Sequence, residues 1–238
     1  MSYTLDGYYG ETAAAAPMSA RAAFIKRTYL HLAGAMLAFV GLEAGLIASG
    51  IGDDFVRQVF VTRGAWIGLM ILFMVGGYVA QVMAMANQSV GIKYAGLALY
   101  VLLETVIFLP LLTISTRIDP MIPLEAGVTT LAVFGALTIA VFVSGKDFSF
   151  MGPALWVLTA LATVGIILAI IFGGGGILGI GFCLLMVGLM SGWIIYQTSN
   201  VIHQYGTDQH VAASLFLFAS IATLFWYIVQ IFLYSRND

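Results

Sequence analysis

The amino-acid sequence predicts an all-α protein that crosses a membrane seven times. Hydrophobic residues make up 61% of the 238 residues and charged residues only 8%, whereas soluble chains average about 45–50% and about 25%. Nine basic and eleven acidic side chains are too few to cover the surface of a soluble fold of this size. The apolar residues also fall into seven runs, each close to the roughly 20 residues that a helix needs to cross the hydrocarbon core. We therefore expect an integral membrane protein.

The segment before the first apolar run differs from the rest of the chain. It carries Asp6 and Glu11 and has no basic residue before Arg21. A secretory signal would begin with positive charge and continue into about 7–15 apolar residues. We therefore expect residues 1–23 to form a disordered tail that is not cleaved, and residues 24–238 to form the membrane domain.

The predicted spans are separated by short breaks that hold turn-forming and charged residues. The spans cover residues 29–49, 64–86, 94–114, 126–143, 153–172, 177–197 and 211–234. Four glycines at residues 173–176 separate the fifth and sixth spans, and the alternatives there are a kink or a re-entrant turn. Three basic residues precede the first span, which favours a cytoplasmic N-terminus.

Two carboxylic acids, Glu43 and Glu104, lie near the centres of the first and third predicted spans. An ionised carboxylate is costly there, and none of the predicted spans contains Lys or Arg to pair with it. Two interpretations are open. Each acid is either protonated and hydrogen-bonded between helices, or part of a cation or proton site that lines a cavity.

Polar residues recur at helical spacing in the last span. Ser220, Thr223, Tyr227 and Gln230 follow at intervals of three, four and three, which places them on one helix face. The second span has a shorter stripe of the same kind, formed by Tyr78, Gln81, Met85 and Gln88. Such stripes line water or bond across helices, so we expect both of them to face the protein interior.

Glycines spaced four apart predict close helix packing. Gly41 and Gly45 form a GxxxG motif in the first span, and Gly188 and Gly192 repeat it in the sixth. Small residues at this spacing let two helix backbones approach each other.

Catalytic and cofactor motifs are not found in the sequence. The three histidines, His31, His203 and His210, have no cysteine or acidic helix motif that would complete a metal site, so an interfacial role is expected and a bound metal is left undecided. No nucleophile elbow or phosphate-binding loop is present. The net charge of −2 argues against nucleic acid as a partner. We expect a non-enzymatic protein without a cofactor.

Several segments resemble the transmembrane Bax inhibitor motif family, including its bacterial YccA-like members. The resemblance runs from Phe24 to Tyr234 and is carried by FIKRTYLHL at 24–32, by KDFSFMG at 146–152, and by the end of the sixth span with Tyr196, Ile202, His203, Tyr205 and Gly206. The segment at 146–152 is the most specific of these. The resemblance implies a bundle in which the other six helices surround the last one. It also implies a passive calcium or cation leak that is gated by pH.

Two aspartates carry the pH response in that family, and the resemblance places other residues at their positions. Gln197 stands where the first aspartate is expected and Ser220 where the second is expected, while Thr223 replaces an asparagine. Neither Gln nor Ser titrates between about pH 5 and 8, so the family's proton switch does not transfer to this chain.

Two classes of function remain open on the sequence. The first is a cation leak whose interior is lined by Glu43, Glu104, Gln197, Ser220 and Thr223. The second is a non-transporting regulator that binds other membrane proteins, such as a membrane-bound protease, as the YccA-like members do. In both cases the expected location is the lipid bilayer of a bacterial inner membrane.

Overall fold

A computed structural model describes residues 12–60, 63–86, 89–172 and 179–237. These residues form a bundle of helices, with a short 3-10 turn at Ser149–Met151 before α6. The helices are α1 (Met18–Ala48), α2 (Ile51–Phe60), α3 (Arg63–Met85), α4 (Val90–Ile118), α5 (Ile122–Ser144), α6 (Gly152–Phe172), α7 (Ile180–His203) and α8 (His210–Asn237). Within the described residues, seven helices, all except α2, are long and apolar enough to cross a membrane. The predicted all-α fold with seven spans is confirmed.

The first helix begins at Met18, well before the predicted first span. Alanines in its first turns favour a helix even where the sequence is no longer strongly apolar. Before the helix, the backbone N–H of Ala13 donates to the carbonyl oxygen of Tyr205 at 2.8 Å, and Ala13 is fully buried. Residues 12–23 therefore differ from the predicted disordered tail, whereas residues 1–11 lie outside the described part.

The short helix α2 lies where the sequence predicted only a break. Gly50 adopts a positive φ of 79°, a conformation that glycine adopts without strain, and this ends α1. Asp53 and Asp54 follow in the first turn of α2 and Arg57 in its last turn, an arrangement that complements the helix dipole. The predicted break between the fifth and sixth spans, at residues 173–176, lies outside the described residues, as does residue 177, where the sixth span was predicted to begin.

The last helix occupies the centre of the bundle, as the family resemblance implies. Helix α8 packs against α1, α3, α4, α5 and α7. Helix α6 is the exception to the implied arrangement, because its main partners are α7 and the 3-10 turn. Its remaining surface carries exposed apolar side chains such as Trp156 and Leu161, which suit contact with lipid.

The closest helix packing is not at the predicted GxxxG motif of α1. A Cβ atom added to Gly41 or Gly45 would meet nothing within 4 Å, so the prediction that these glycines pack against a neighbouring helix is wrong for the single chain. In α7, Gly188 is equally open and only Gly192 is close to a neighbour, the side chain of Leu155.

Helices α3 and α4 approach each other backbone to backbone at Gly96. A Cβ atom there would lie 2.6 Å from the carbonyl oxygen of Ala80 and 2.8 Å from the backbone nitrogen of Ala84. Small residues on both helices thus bring two backbones together, and Ala80 and Ala84 have the same spacing of four as the glycines of a GxxxG motif.

The two ends of the bundle are called the N-side, where α1 begins, and the C-side, where α1 ends. Lys93 and Asp208 form an ion pair of 3.4 Å on the N-side. On the C-side, Arg117 pairs with Asp53, and Arg236 pairs with Glu125 and Asp119. The side chains of the C-side pairs are 23–49% exposed, so water reaches them and their pairing is worth little.

Candidate functional site

One face of α1 is buried along almost the whole helix, and it is polar towards both ends. The buried residues recur every three or four positions, as expected for one helical stripe: Phe24, Thr28, Leu32, Ala35, Phe39 and Glu43. At the rise of a helix, Thr28 and Glu43 are about 22 Å apart along the axis. The stripe therefore carries a polar side chain in each half of the bundle, with apolar residues between them.

Glu43 lies in the C-side half and is only 3% exposed. Neither carboxyl oxygen has a hydrogen-bond partner among the described residues. Glu43 lines a cavity of about 580 Å³ between α1, α4, α5 and α8, called the Glu43 cavity below. Unpaired buried oxygens are uncommon in proteins, which makes Glu43 a candidate for binding an ion or a ligand.

Glu104 is also inside the bundle, at 2% exposure, but it does not line the Glu43 cavity. The Tyr100 hydroxyl lies beside its carboxyl group, one turn earlier on α4. The two glutamates therefore do not share this cavity.

A second group of unpaired oxygens lies in the N-side half of the bundle. Tyr29 of α1 faces Thr138 of α5 and Thr198 of α7, although none of the three hydroxyls has a partner at hydrogen-bonding geometry. Three further buried oxygens without a described partner lie at the same level. The whole group, called the N-side oxygen cluster, comprises Thr28, Tyr29, Thr138, Gln197, Thr198 and Asn200.

Four phenylalanine rings pack together beside Glu43. The ring centroid of Phe39 lies 5.1 Å from that of Phe108 and 6.1 Å from that of Phe218. Phe225 stacks on Phe108 at 5.8 Å. These four rings are called the phenylalanine cluster, and three of them, Phe39, Phe218 and Phe225, line the Glu43 cavity.

The polar stripe of α8 faces α7 at two of its positions. The Tyr227 ring contacts that of Phe182 at 6.1 Å, and the side-chain oxygen of Gln230 lies 3.7 Å from the sulfur of Cys183. The stripe is thus directed towards the helix of the sixth predicted span, as expected.

Ser220 and Thr223 bond to their own helix rather than to α7. The Ser220 hydroxyl donates to the carbonyl oxygen of Phe216 at 3.0 Å, and Thr223 donates to that of Ala219 at 2.9 Å. Gln197 is 7% exposed, and its side-chain oxygen lacks a described partner. No hydrogen bond joins Ser220 to Gln197 among the described residues, because a serine inside a helix can bond the preceding turn.

The shorter polar stripe of the second predicted span does not face the interior. In α3, Tyr78 is 70% exposed and Met85 is 53% exposed, so the inward prediction for this stripe is wrong. Gln88 lies outside the described residues. A tyrosine has an apolar ring and a polar tip, so outward exposure is tolerated in a membrane.

The tertiary packing brings together two histidines that are far apart in the sequence. His31 of α1 and His210 of α8 have ring centroids 5.0 Å apart. His31 also lies 2.8 Å from the Tyr94 hydroxyl of α4. Along the sequence, the histidine nearest to His210 is His203. No sequence pattern links residues on three different helices. The described residues contain no cluster of three His, Cys, Asp or Glu side chains that would hold a metal ion.

Known proteins resemble this chain over most of its length. A family model described as "Inhibitor of apoptosis-promoting Bax1" matches residues 21–238. Bax inhibitor 1 of Schizosaccharomyces pombe is 31% identical over 233 residues, covering 92% of this chain and 79% of the relative. Protein LIFEGUARD 4 of Arabidopsis thaliana is 26% identical over 216 residues, covering 88% and 83%. The Golgi anti-apoptotic protein of Vaccinia virus (strain Lister) is 31% identical over 132 residues, covering 52% of each chain.

The match to the family model includes every helix of the bundle except the first turn of α1. It therefore agrees with the seven membrane spans and with the central position of α8. The chain belongs to the Bax inhibitor family of integral membrane proteins.

Proposed function

We propose that the protein is a passive leak pathway for calcium or a similar cation. The observation that carries this proposal is the pair of buried, unpaired oxygen groups in the two halves of the bundle, namely Glu43 and the N-side oxygen cluster. Carboxylate, amide and hydroxyl oxygens are the ligands that Ca²⁺ prefers. Polar groups inside a membrane commonly mark an ion pathway.

The proposed pathway follows α1 and α8 through the core. A cation would exchange water for the oxygens of Thr198 and Gln197 on the N-side and for the carboxylate of Glu43 on the C-side. Ser220 and Thr223 are assigned supporting roles, because each donates a hydrogen bond within its own helix. Glu104 is assigned one as well, because it does not line the Glu43 cavity.

In the proposed pathway, the phenylalanine cluster beside the Glu43 cavity acts as the closed gate. A hydrophobic constriction excludes water and therefore blocks an ion, which cannot shed its hydration shell without replacement ligands. Opening requires Phe39 to separate from Phe218, that is, a shift of α1 relative to α8.

Calcium uptake into proteoliposomes that contain only this protein tests the proposal. We expect uptake above that of empty liposomes, a several-fold reduction in Glu43→Gln, and an increase in Phe39→Ala. Glu125→Gln and Phe150→Ala are matched controls, because Glu125 is in a surface ion pair and Phe150 is 75% exposed.

Uptake equal to that of empty liposomes for all variants, including Phe39→Ala, would contradict a leak. That result would favour the second candidate, a regulator that acts by binding other membrane proteins. We further propose a bacterial inner membrane as the location, on the resemblance to the bacterial members of the family.

The proposed leak lacks the paired aspartates of the family's pH switch, given Gln197 and Ser220 at the matching positions. Its flux should then be nearly flat between about pH 6 and 8 unless Glu43 or Glu104 titrates in that range. Gln197→Asp combined with Ser220→Asp should introduce a pH response, and either substitution alone should not. A steep response that persists when Glu43→Gln and Glu104→Gln are combined would contradict this part of the proposal.

A further inference from the structure

The Glu43 cavity opens sideways between α1 and α5. Helix α1 packs against α2, α4 and α8, whereas α5 packs against α4, α7 and α8, so neither helix is a main partner of the other. The rim residues Val40, Val128 and Leu131 are 59%, 61% and 51% exposed and lie within membrane-spanning helices. The opening therefore faces the lipid.

Small side chains create the space inside the cavity. Ala44 and Ala48 line it from α1, Gly127 from α5 and Ala222 from α8. A Cβ atom added to Gly127 would meet nothing within 4 Å. The volume of about 580 Å³ is within the roughly 300–1,000 Å³ typical of small-molecule sites.

Glu43 is the one lining side chain whose polar atoms are unsatisfied. The other polar side chains of the lining are threonines, and both are bonded within their helices. Thr116 donates to the carbonyl oxygen of Leu112 at 3.0 Å, and Thr130 donates to that of Ala126 at 2.7 Å. The cavity thus has an apolar wall in which Glu43 is the one polar side chain without a hydrogen-bond partner among the described residues, and its lining includes no Lys or Arg.

We propose that the Glu43 cavity is a binding site for a membrane-dissolved amphiphile with an apolar chain and one protonated amine. An ammonium group would donate charge-assisted hydrogen bonds to both free oxygens of Glu43. It would also neutralise a buried carboxylate that has no protein cation beside it. The apolar chain would fill the space left by the alanines and Gly127, and the ligand would enter from the bilayer between α1 and α5.

Photolabelling with three matched probes tests this site. The probes are dodecylamine, dodecanol and dodecanoic acid, each with a diazirine on its chain, added to the full-length protein in lipid nanodiscs. We expect the amine to label α1, α5 and α8 at the cavity about tenfold more than the alcohol. The reason is that hydrogen bonds from a charged ammonium group are stronger than the bond from a neutral hydroxyl group. The acid should label less than the alcohol, because it brings a second carboxyl group towards Glu43.

Two variants separate recognition of the head group from occupancy of the cavity. Glu43→Gln should remove the preference for amine over alcohol while the alcohol still labels the cavity. Gly127→Leu should reduce labelling by amine and alcohol alike, because the new side chain fills the free space. Gly135→Leu is the matched control, since Gly135 is also open on α5 but does not line the cavity.

Equal labelling by amine and alcohol in the native protein would overturn the proposal. Labelling that is unchanged in Gly127→Leu, or that maps away from the cavity, would overturn it as well. Size-exclusion profiles and unfolding temperatures of each variant confirm that the compared proteins are folded. The test measures binding alone, so its outcome is independent of whether the protein conducts ions.

Discussion

The imidazole rings of His31 and His210 lie 5.0 Å apart and are tilted by 55°, where α1 meets α8 on the N-side. His31 Nδ1 lies 2.7 Å from the carbonyl oxygen of Arg27, and Nε2 lies 2.8 Å from the Tyr94 hydroxyl. The pair thus joins α1, α4 and α8.

Acidification should weaken this junction. Protonating His210 places a positive charge beside His31, Arg27 and Lys93, and Asp208 is the acid that opposes this charge among the described residues. We expect the unfolding temperature of the native protein to fall between about pH 7 and pH 5. The fall should be smaller in His210→Gln.

His203→Gln is the control for this experiment, because the His203 ring lies 3.1 Å from the carbonyl oxygen of Ser199 on its own helix. This variant should retain the native pH dependence. An equally steep fall in His210→Gln would contradict the prediction.

Asp147 should contribute stability that is lost only in strong acid. Its carboxylate accepts hydrogen bonds from the backbone N–H of Ser149 at 2.9 Å and from the hydroxyl of Ser199 at 3.3 Å. These bonds, the backbone one first, hold the pKa of Asp147 below its usual value of 3.8. Because the folded pKa is depressed, the contribution is present above about pH 4 and disappears as the pH falls through the folded pKa.

Asp147→Asn tests this contribution. The variant should unfold at a lower temperature than the native protein at pH 7, and the difference should shrink as the pH falls below about 4. Lys146→Gln changes the neighbouring exposed charge and serves as the control. A native-to-variant difference that stays constant down to pH 3 would contradict the assignment.

Gly96 should tolerate substitution far less than the glycines of the GxxxG motif. A Cβ atom at Gly96 collides with the backbone of α3, so Gly96→Ala should cost about 1–3 kcal/mol through overpacking. Gly41→Ala meets open space and should be neutral or stabilising by up to about 1 kcal/mol. Reversible unfolding in mixed micelles measures both changes, and an equal effect at the two sites would contradict the packing described here.

Thr159 and Ser220 should differ in their contribution to stability. Thr159 of α6 accepts a hydrogen bond from the indole N–H of Trp193 on α7 at 2.9 Å, so Thr159→Val should cost on the order of 0.6 kcal/mol, the average for interhelical bonds in membranes. Ser220 donates within its own helix, so Ser220→Ala should be closer to neutral. The same unfolding assay compares the two variants. A larger loss of stability in Ser220→Ala than in Thr159→Val would contradict the prediction and would indicate that Ser220 bonds to α7.

Local patterns in the sequence were sufficient for the membrane class, the seven spans and the buried position of Glu43. Each of these depends on a short stretch of chain, because the length of an apolar run predicts a span and the cost of exposing a carboxylate to lipid predicts burial. The start of α1 and the amphipathic helix α2 were not predicted. Both segments are less apolar than a membrane span, so a search for apolar runs does not find them, although they form helices.

Contacts between helices required the three-dimensional packing. The facing rings of His31 and His210, the close approach at Gly96 and the cavity beside Glu43 all involve residues from helices that are distant in the sequence. Periodicity says which face of a helix is polar or small, but not which helix lies against that face. Gly41 and Gly45 carry the pattern of a packing motif and remain open, because the shapes of whole neighbouring helices determine where two backbones meet.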